Sequence, residues 1–237
     1  ILNLGNWVYK SDAPLPIINS PLIEVNDKIY VFFSNYPVIY LYEFDPQDDI
    51  WSLKASPSDY RPSFGLINIG DKIYAISGGN PPLNSVEVYS ITEDAWSYVA
   101  PINNPRFNMH TITYNNMIYV FGGQNPNVLN SVEVFDPVIN IWTELTPMPG
   151  NGSLDFSAEL HKNIIYIIGG SELPNRVLEY NPGLNRWFEK PSLKWERPAN
   201  FFTLSVNNMF YVLGGDTYPN SFEKLEPQTT YYIHCKE

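Results

Sequence analysis

Apolar and polar positions alternate along this chain in short runs, and the runs recur. Met109 to Tyr114 alternates, the polar pair Asn115-Asn116 follows, and Ile118-Tyr119-Val120-Phe121 runs apolar into Gly122-Gly123. A Pro- and Asn-rich loop then leads to Ser131-Val132-Glu133-Val134-Phe135-Asp136-Pro137, and a last run from Trp142 stops at Pro147. Runs of four to eight residues, rich in Ile, Val, Tyr and Phe and bounded by Asn, Asp, Pro or Gly, predict strands joined by turns. No stretch of ten or more residues holds a capped apolar period of 3.6, so helices are not expected.

The pattern is periodic. Trp7, Trp51, Trp96, Trp142 and Trp187 stand 44, 45, 46 and 45 residues apart; only Trp195 is out of phase. Gly78-Gly79, Gly122-Gly123, Gly169-Gly170 and Gly214-Gly215 keep nearly the same interval, with Phe33-Ser34 as a degenerate earlier copy. Overlaying the copies gives four strands per repeat, a to d in chain order. A four-stranded antiparallel sheet repeated at this interval predicts an all-β propeller, each sheet one blade whose faces are buried by its neighbours. The expected repeats are 12–56, 57–101, 102–149, 150–192 and 193–237, forming a single domain over 1–237 with residues 1–11 as a closing d-strand. The count is about five blades, or six if strands lie upstream; Tyr231 to Cys235 is the alternative last d-strand. The glycine pairs are expected to serve close backbone approach, and the tryptophans to fill the wedge between blades.

Composition narrows the function. With 14 Lys+Arg against 25 Asp+Glu the net charge is −11, which argues against nucleic acid or anionic membrane as a partner. The one cysteine, Cys235, makes an internal disulfide framework impossible and favours a reducing, cytoplasmic setting. No signal peptide or membrane-length apolar run is visible. A chain opening on Ile1 reads as a domain cut from something longer. The sequon Asn151-Gly152-Ser153 reads as a chance match.

These residues resemble the kelch repeat: hydrophobic-Tyr-hydrophobic-hydrophobic-Gly-Gly, then Val-Glu-x-Tyr/Phe-Asp-Pro, then Trp six residues after the Asp. The third copy matches best, with Gly122-Gly123, Val132-Glu133, Phe135-Asp136-Pro137 and Trp142. Copies one and four depart, since Glu43 and Glu179 are shifted by one place. The resemblance implies the kelch half of a BTB–BACK–kelch adaptor that presents substrates to a cullin-3 ubiquitin ligase. Cullin-3 would be reached only through an upstream BTB domain. Degenerate repeats and an Asn, Ile and Tyr bias further resemble poxviral kelch-like proteins, hence a host–virus role.

The inventory for chemistry is thin. His110, His161 and His234 form no metal-ligand spacing with one another or with Cys235, so no cofactor, metal or catalytic residue is expected. Glu87, Glu133 and Glu223 recur once per repeat, as packing groups do and catalytic groups do not. The binding reading rests on the b–c loops and d–a connections, which lie at the same strand ends. The b–c loops carry Tyr36, Asn80, Gln124, Asn125, Asn175 and Tyr218; the d–a connections carry Tyr60-Arg61, Arg106-Phe107 and Arg197. Three of only five arginines fall at this one repeat position, which suggests a cationic rim for an acidic or polar peptide. Arginines bracing adjacent blades are the alternative reading. Actin binding and a propeller enzyme acting on a sugar are the other functional readings.

Overall fold

The computed structural model describes residues 8–18, 20–172, 174–207 and 209–225. Among them there is no helix, and five antiparallel sheets follow one another along the chain. Blade 1 comprises β1 (Leu22–Val25), β2 (Lys28–Asn35), β3 (Val38–Asp45) and β4 (Ile50–Lys54). Blade 2 comprises β5 (Gly65–Ile69), β6 (Lys72–Ile76), β7 (Val86–Ser90) and β8 (Ala95–Val99). Blade 3 comprises β9 (His110–Tyr114), β10 (Met117–Phe121), β11 (Val132–Asp136) and β12 (Ile141–Leu145). Blade 4 comprises β13 (Ser157–His161), β14 (Ile164–Ile168), β15 (Val177–Asn181) and β16 (Arg186–Lys190). Blade 5 has three described strands, β17 (Phe201–Val206), β18 (Met209–Gly214) and β19 (Phe222–Leu225). Strands pair in chain order within every sheet, as the repeat predicts. Trp7 and Tyr231 to Cys235, the candidate closing strands, lie outside the described residues.

Two compact units are present. One holds the described residues up to Val120 with Glu133–Glu144; the other holds Phe121–Val132 with the described residues from Leu145 onward. In the first, β1 lies beside β5 and β5 beside β9, and Thr111 and Thr113 donate their hydroxyls to the Leu66 and Asn68 carbonyls, 3.0 and 2.9 Å away. Between these sheets Tyr74, Ile76, Val88, Met109, Ile118, Phe135 and Trp142 form one buried cluster. In the second unit β13 lies beside β17, over a core of Tyr166, Ile168, Val177, Leu193, Phe210 and Val212.

The tryptophan ladder is a stitch between successive blades. Within the first unit Trp51, Trp96 and Trp142 donate their indole N–H to the carbonyls of Ser11, Ala55 and Ala100, and within the second Trp187 donates to Thr146, at 2.7–3.4 Å. The c–d turn residues Asp49, Asp94, Asn140 and Asn185, all at positive φ, accept the amides of those same four residues at 2.8–2.9 Å. Short polar side chains tolerate the left-handed conformation that aims them there. Ser11 thus occupies, toward blade 1, the place that the end of a preceding d-strand occupies elsewhere.

The frame of the glycine pair needs one correction. Ser77, Gly122, Gly169 and Gly214 each donate a backbone N–H to the residue before strand c, at 2.9–3.2 Å. Ser77-Gly78, not Gly78-Gly79, is therefore the copy of the pair in blade 2. Ser77 stands in the left-handed region at φ 54° and is fully buried, its hydroxyl donating to the Leu83 carbonyl and accepting the Arg106 amide. Gly78 needs to be glycine: at φ 80° an added Cβ would lie 2.7 Å from the Phe64 backbone.

Candidate functional site

The three repeated arginines do not form a cationic rim. Arg61, Arg106 and Arg197 are fully buried, against the expectation that they face a ligand. Each is paired within its own repeat, at 2.7, 2.6 and 3.1 Å, with Glu87, Glu133 and Glu223. The physical reason is that a buried guanidinium needs a carboxylate, which strand c supplies, and further acceptors, which the b–c loop and the d–a connection supply. Arg61 also donates to the Ser77 and Ser85 carbonyls and to the Ser85 hydroxyl. Each glutamate in turn accepts two backbone amides of the d–a connection: Ser58 and Asp59, Asn103 and Asn104, or Lys194 and Trp195. Burial pulls the Arg106 guanidinium below its ordinary pKa, against the opposing pull of Glu133. The arrangement is an internal latch that ties the d–a connection to strand c.

Blades 1 and 4 are built differently, and strand register shows why. In blade 2 Glu87 lies across from Ala75, and in blade 5 Glu223 lies across from Val212. In blades 1 and 4 the glutamate comes one residue later, opposite Tyr30 or Tyr166. Because successive side chains point to opposite faces, that single step moves the carboxylate to the other side of the sheet. There Glu43 accepts the Tyr30 hydroxyl at 2.6 Å and pairs with Lys28 and Lys54. Glu179 accepts the Tyr166 hydroxyl at 3.2 Å and pairs with Lys190 at 2.9 Å. Burial pushes the Glu43 carboxyl up, but the Tyr30, Lys28 and Lys54 contacts outweigh it and hold the pKa below its usual range.

Blade 4 has also exchanged its latch residues. Ser153 takes the arginine's place, as the parallel bonds Ser171 N–H to Leu154 and Gly79 N–H to Pro62 show. Arg176 takes the place of Ser85, and Leu178 that of Glu87. Arg176 donates to the Pro149 carbonyl at 2.7 Å and pairs with Glu189. A cavity of about 20 Å³ lined by Ser153, Arg176 and Leu178 marks the vacated position.

The other loop residues that the sequence singled out are uncharged and at least partly accessible. Tyr36 is 80% exposed and meets Tyr60 edge-on at 5.2 Å, while the Ser34 hydroxyl donates to the Tyr60 hydroxyl. Asn80, Asn125 and Asn175 are exposed, and Phe107, Gln124 and Tyr60 are half-buried. Gln124 bridges to Val128 at the base of its loop. Tyr218 packs against Trp195, ring centroids 4.6 Å apart and tilted by 45°, a pairing that the sequence reading did not draw. The loops are held by their own backbone: Gly78 and Gly170 donate to the Arg106 and Arg197 carbonyls of the following d–a connection at 2.9 and 2.8 Å.

Four successive four-strand blades and a fifth with three described strands, with a Gly-bearing b–c corner in blades 2 to 5 and a stitched Trp in strand d of blades 1 to 4, have the repeat architecture of a kelch β-propeller. The kelch motif model matches residues 60–103 and 105–149. The chain resembles the kelch domains of kelch-like proteins: Kelch-like protein 36 of Bos taurus is 34% identical over 56% of this chain and 22% of its own length. Kelch-like protein 23 of Homo sapiens is 27% identical over 57% of this chain and 25% of its own length. The matched stretch thus spans a quarter or less of these relatives. The solved structure of YjhT superposes with a TM-score of 0.74, over 87% of this chain and 75% of that one, at 18% identity, a likeness of fold.

Proposed function

We propose that the chain is a protein-interaction module that takes its partner on the b–c and d–a loop face. Within a longer protein it would serve as the substrate-recognition part of a cullin-3 ubiquitin ligase adaptor, acting in the cytoplasm by binding and not by catalysis. The observation that carries the first half is a division of labour. In blades 2, 3 and 5 arginine and glutamate are consumed by the latches, while Tyr36, Asn80, Asn125, Asn175 and Tyr218 stay accessible on the b–c loops. Preorganised loops with tyrosine and asparagine side chains bind at a low ordering cost. The adaptor half is supported by the likeness to kelch-like proteins. Burial of the arginines removes the argument for an acidic peptide.

The test is quantitative affinity purification with the wild-type chain and with a variant carrying Tyr36→Ala, Asn80→Ala, Asn175→Ala and Tyr218→Ala. A Val138→Ser, Ile139→Ser variant at the opposite strand ends serves as control. Partners lost only with the loop-face variant support the proposal; partners retained by it refute the face. Failure of the full-length protein to coprecipitate cullin-3 refutes the adaptor role.

A further inference from the structure

Trp195 stands outside the tryptophan ladder. Its place, two residues before the latch arginine, is held in blades 2 and 3 by Asp59 and Asn104, which both turn their side chains into the latch. In blade 5 the Trp195 amide still serves Glu223, but the indole packs on Tyr218 with the Lys194 ammonium 4.8 Å from its centroid. Two open depressions meet here. One, of about 410 Å³, is bounded by Trp195, Tyr218 and Pro219; the other, of about 500 Å³, is bounded by Phe202, Leu213, Asp216 and Pro219. Phe202 is 75% exposed within the second. A large aromatic left open beside a paired Trp and Tyr is the composition of an interaction hot spot.

The charge around this mouth is anionic. On the loops of this unit Asp155, Glu172, Glu196 and Asp216 are exposed, whereas Arg197 is buried and Arg176 is bound to Glu189. Lys194 is the one exposed cation among the described residues of the b–c and d–a loops of this unit. The face therefore has the opposite sign to the one its arginine count suggests.

We infer that the mouth of blade 5 seats an extended partner segment in which a large apolar side chain neighbours an arginine or lysine. This rests on the loop-face reading above and deepens it. The depressions share Pro219 as a common wall, and they are too open to enclose a small molecule in the way that ligand pockets do. Phe202 and Leu213 receive the apolar side chain. Asp216 and Glu196 attract the cation, and the Trp195–Tyr218 pair offers it a π-face, as it already does for Lys194.

The experiment selects binders to the whole chain from a random linear-peptide phage library and measures the synthesised winners by fluorescence anisotropy. Enriched peptides are expected to pair Arg or Lys with a large apolar residue. Binding is expected to weaken roughly tenfold or more in Trp195→Ala. In Asp216→Lys, an exposed position whose carboxylate accepts the Asn200 side-chain amide, it weakens a few-fold, with a shallower salt dependence and an unchanged thermal melt. Acidic winners, or winners indifferent to both variants yet lost in Tyr36→Ala, overturn this inference and leave the loop-face reading standing. Winners insensitive to every loop-face change, or no winners at all, overturn both.

Discussion

Removing both partners of the blade 3 latch should cost clearly less than the two single removals added together. Glu133 accepts the Asn103 and Asn104 amides at 3.0 and 3.1 Å, the Asn104 side chain at 3.2 Å and the Arg106 guanidinium at 2.6 Å, with no exposure on either charged side chain. Glu133→Leu orphans two amides, each worth about 1–3 kcal/mol when left buried without a partner. It also strands a buried guanidinium, and losing one partner of such a pair costs about 3–5 kcal/mol. Arg106→Met leaves Glu133 its amide donors, so its cost falls nearer about 3 kcal/mol. The double variant removes the lone charge, and its cost should undercut the sum of the singles by about 2 kcal/mol or more. Blade 4 already lives with this combination in the form of Ser153 and Leu178. The assay is urea denaturation followed by tryptophan fluorescence. Hydrogen exchange resolved by blade accompanies it, because stacked repeats lose stability locally. Costs below about 0.5 kcal/mol for Arg106→Met, together with lost partner binding, would refute the latch and return the arginine to the ligand face.

Three further outcomes are expected. Gly78→Ala forces a Cβ to 2.7 Å from the Phe64 backbone at φ 80°, and thermal melts should show a loss beyond the ~1 kcal/mol typical of an unstrained glycine replacement. Trp96→Phe keeps most of the packing but loses the 2.7 Å bond to Ala55, so it should cost about 1 kcal/mol, while Trp96→Ala costs about 3–5 by denaturant titration. Burial lowers the His110 pKa to about 4, below its value in the unfolded chain. The unfolded state then binds the extra proton, so stability is fully present above about pH 6.5 and falls as the pH drops toward 4. His110→Gln should flatten that part of a stability–pH profile by a few kcal/mol at most.

Strand periodicity, the five successive repeats and the inter-blade place of tryptophan were legible because they depend on local pattern: alternation, a turn, an aromatic at fixed phase. The fate of the arginines was not, because recurrence shows that a residue is needed in each repeat without showing where its side chain is aimed. One signal was available. Arg61, Arg106 and Arg197 skip repeats 1 and 4, and so do Glu87, Glu133 and Glu223 at strand c, where Tyr42 and Leu178 stand instead. Two series of opposite charge that are absent from the same repeats are partners. The Ser77-Gly78 frame was missed because Gly79 mimics the motif one residue late, and only the hydrogen bond to Ser85 tells them apart. The role of Trp195 was hidden for the opposite reason: it belongs to no series.

The two blade designs are separated by an epistatic gap. Turning blade 4 into a latch blade requires Ser153→Arg, Arg176→Ser and Leu178→Glu together, since Leu178→Glu alone buries a carboxylate without its guanidinium. Every single-step route between the two designs passes through a stranded charge. The latch design of a blade is thus a property of three positions held jointly, and it is expected to exchange only when all three change together.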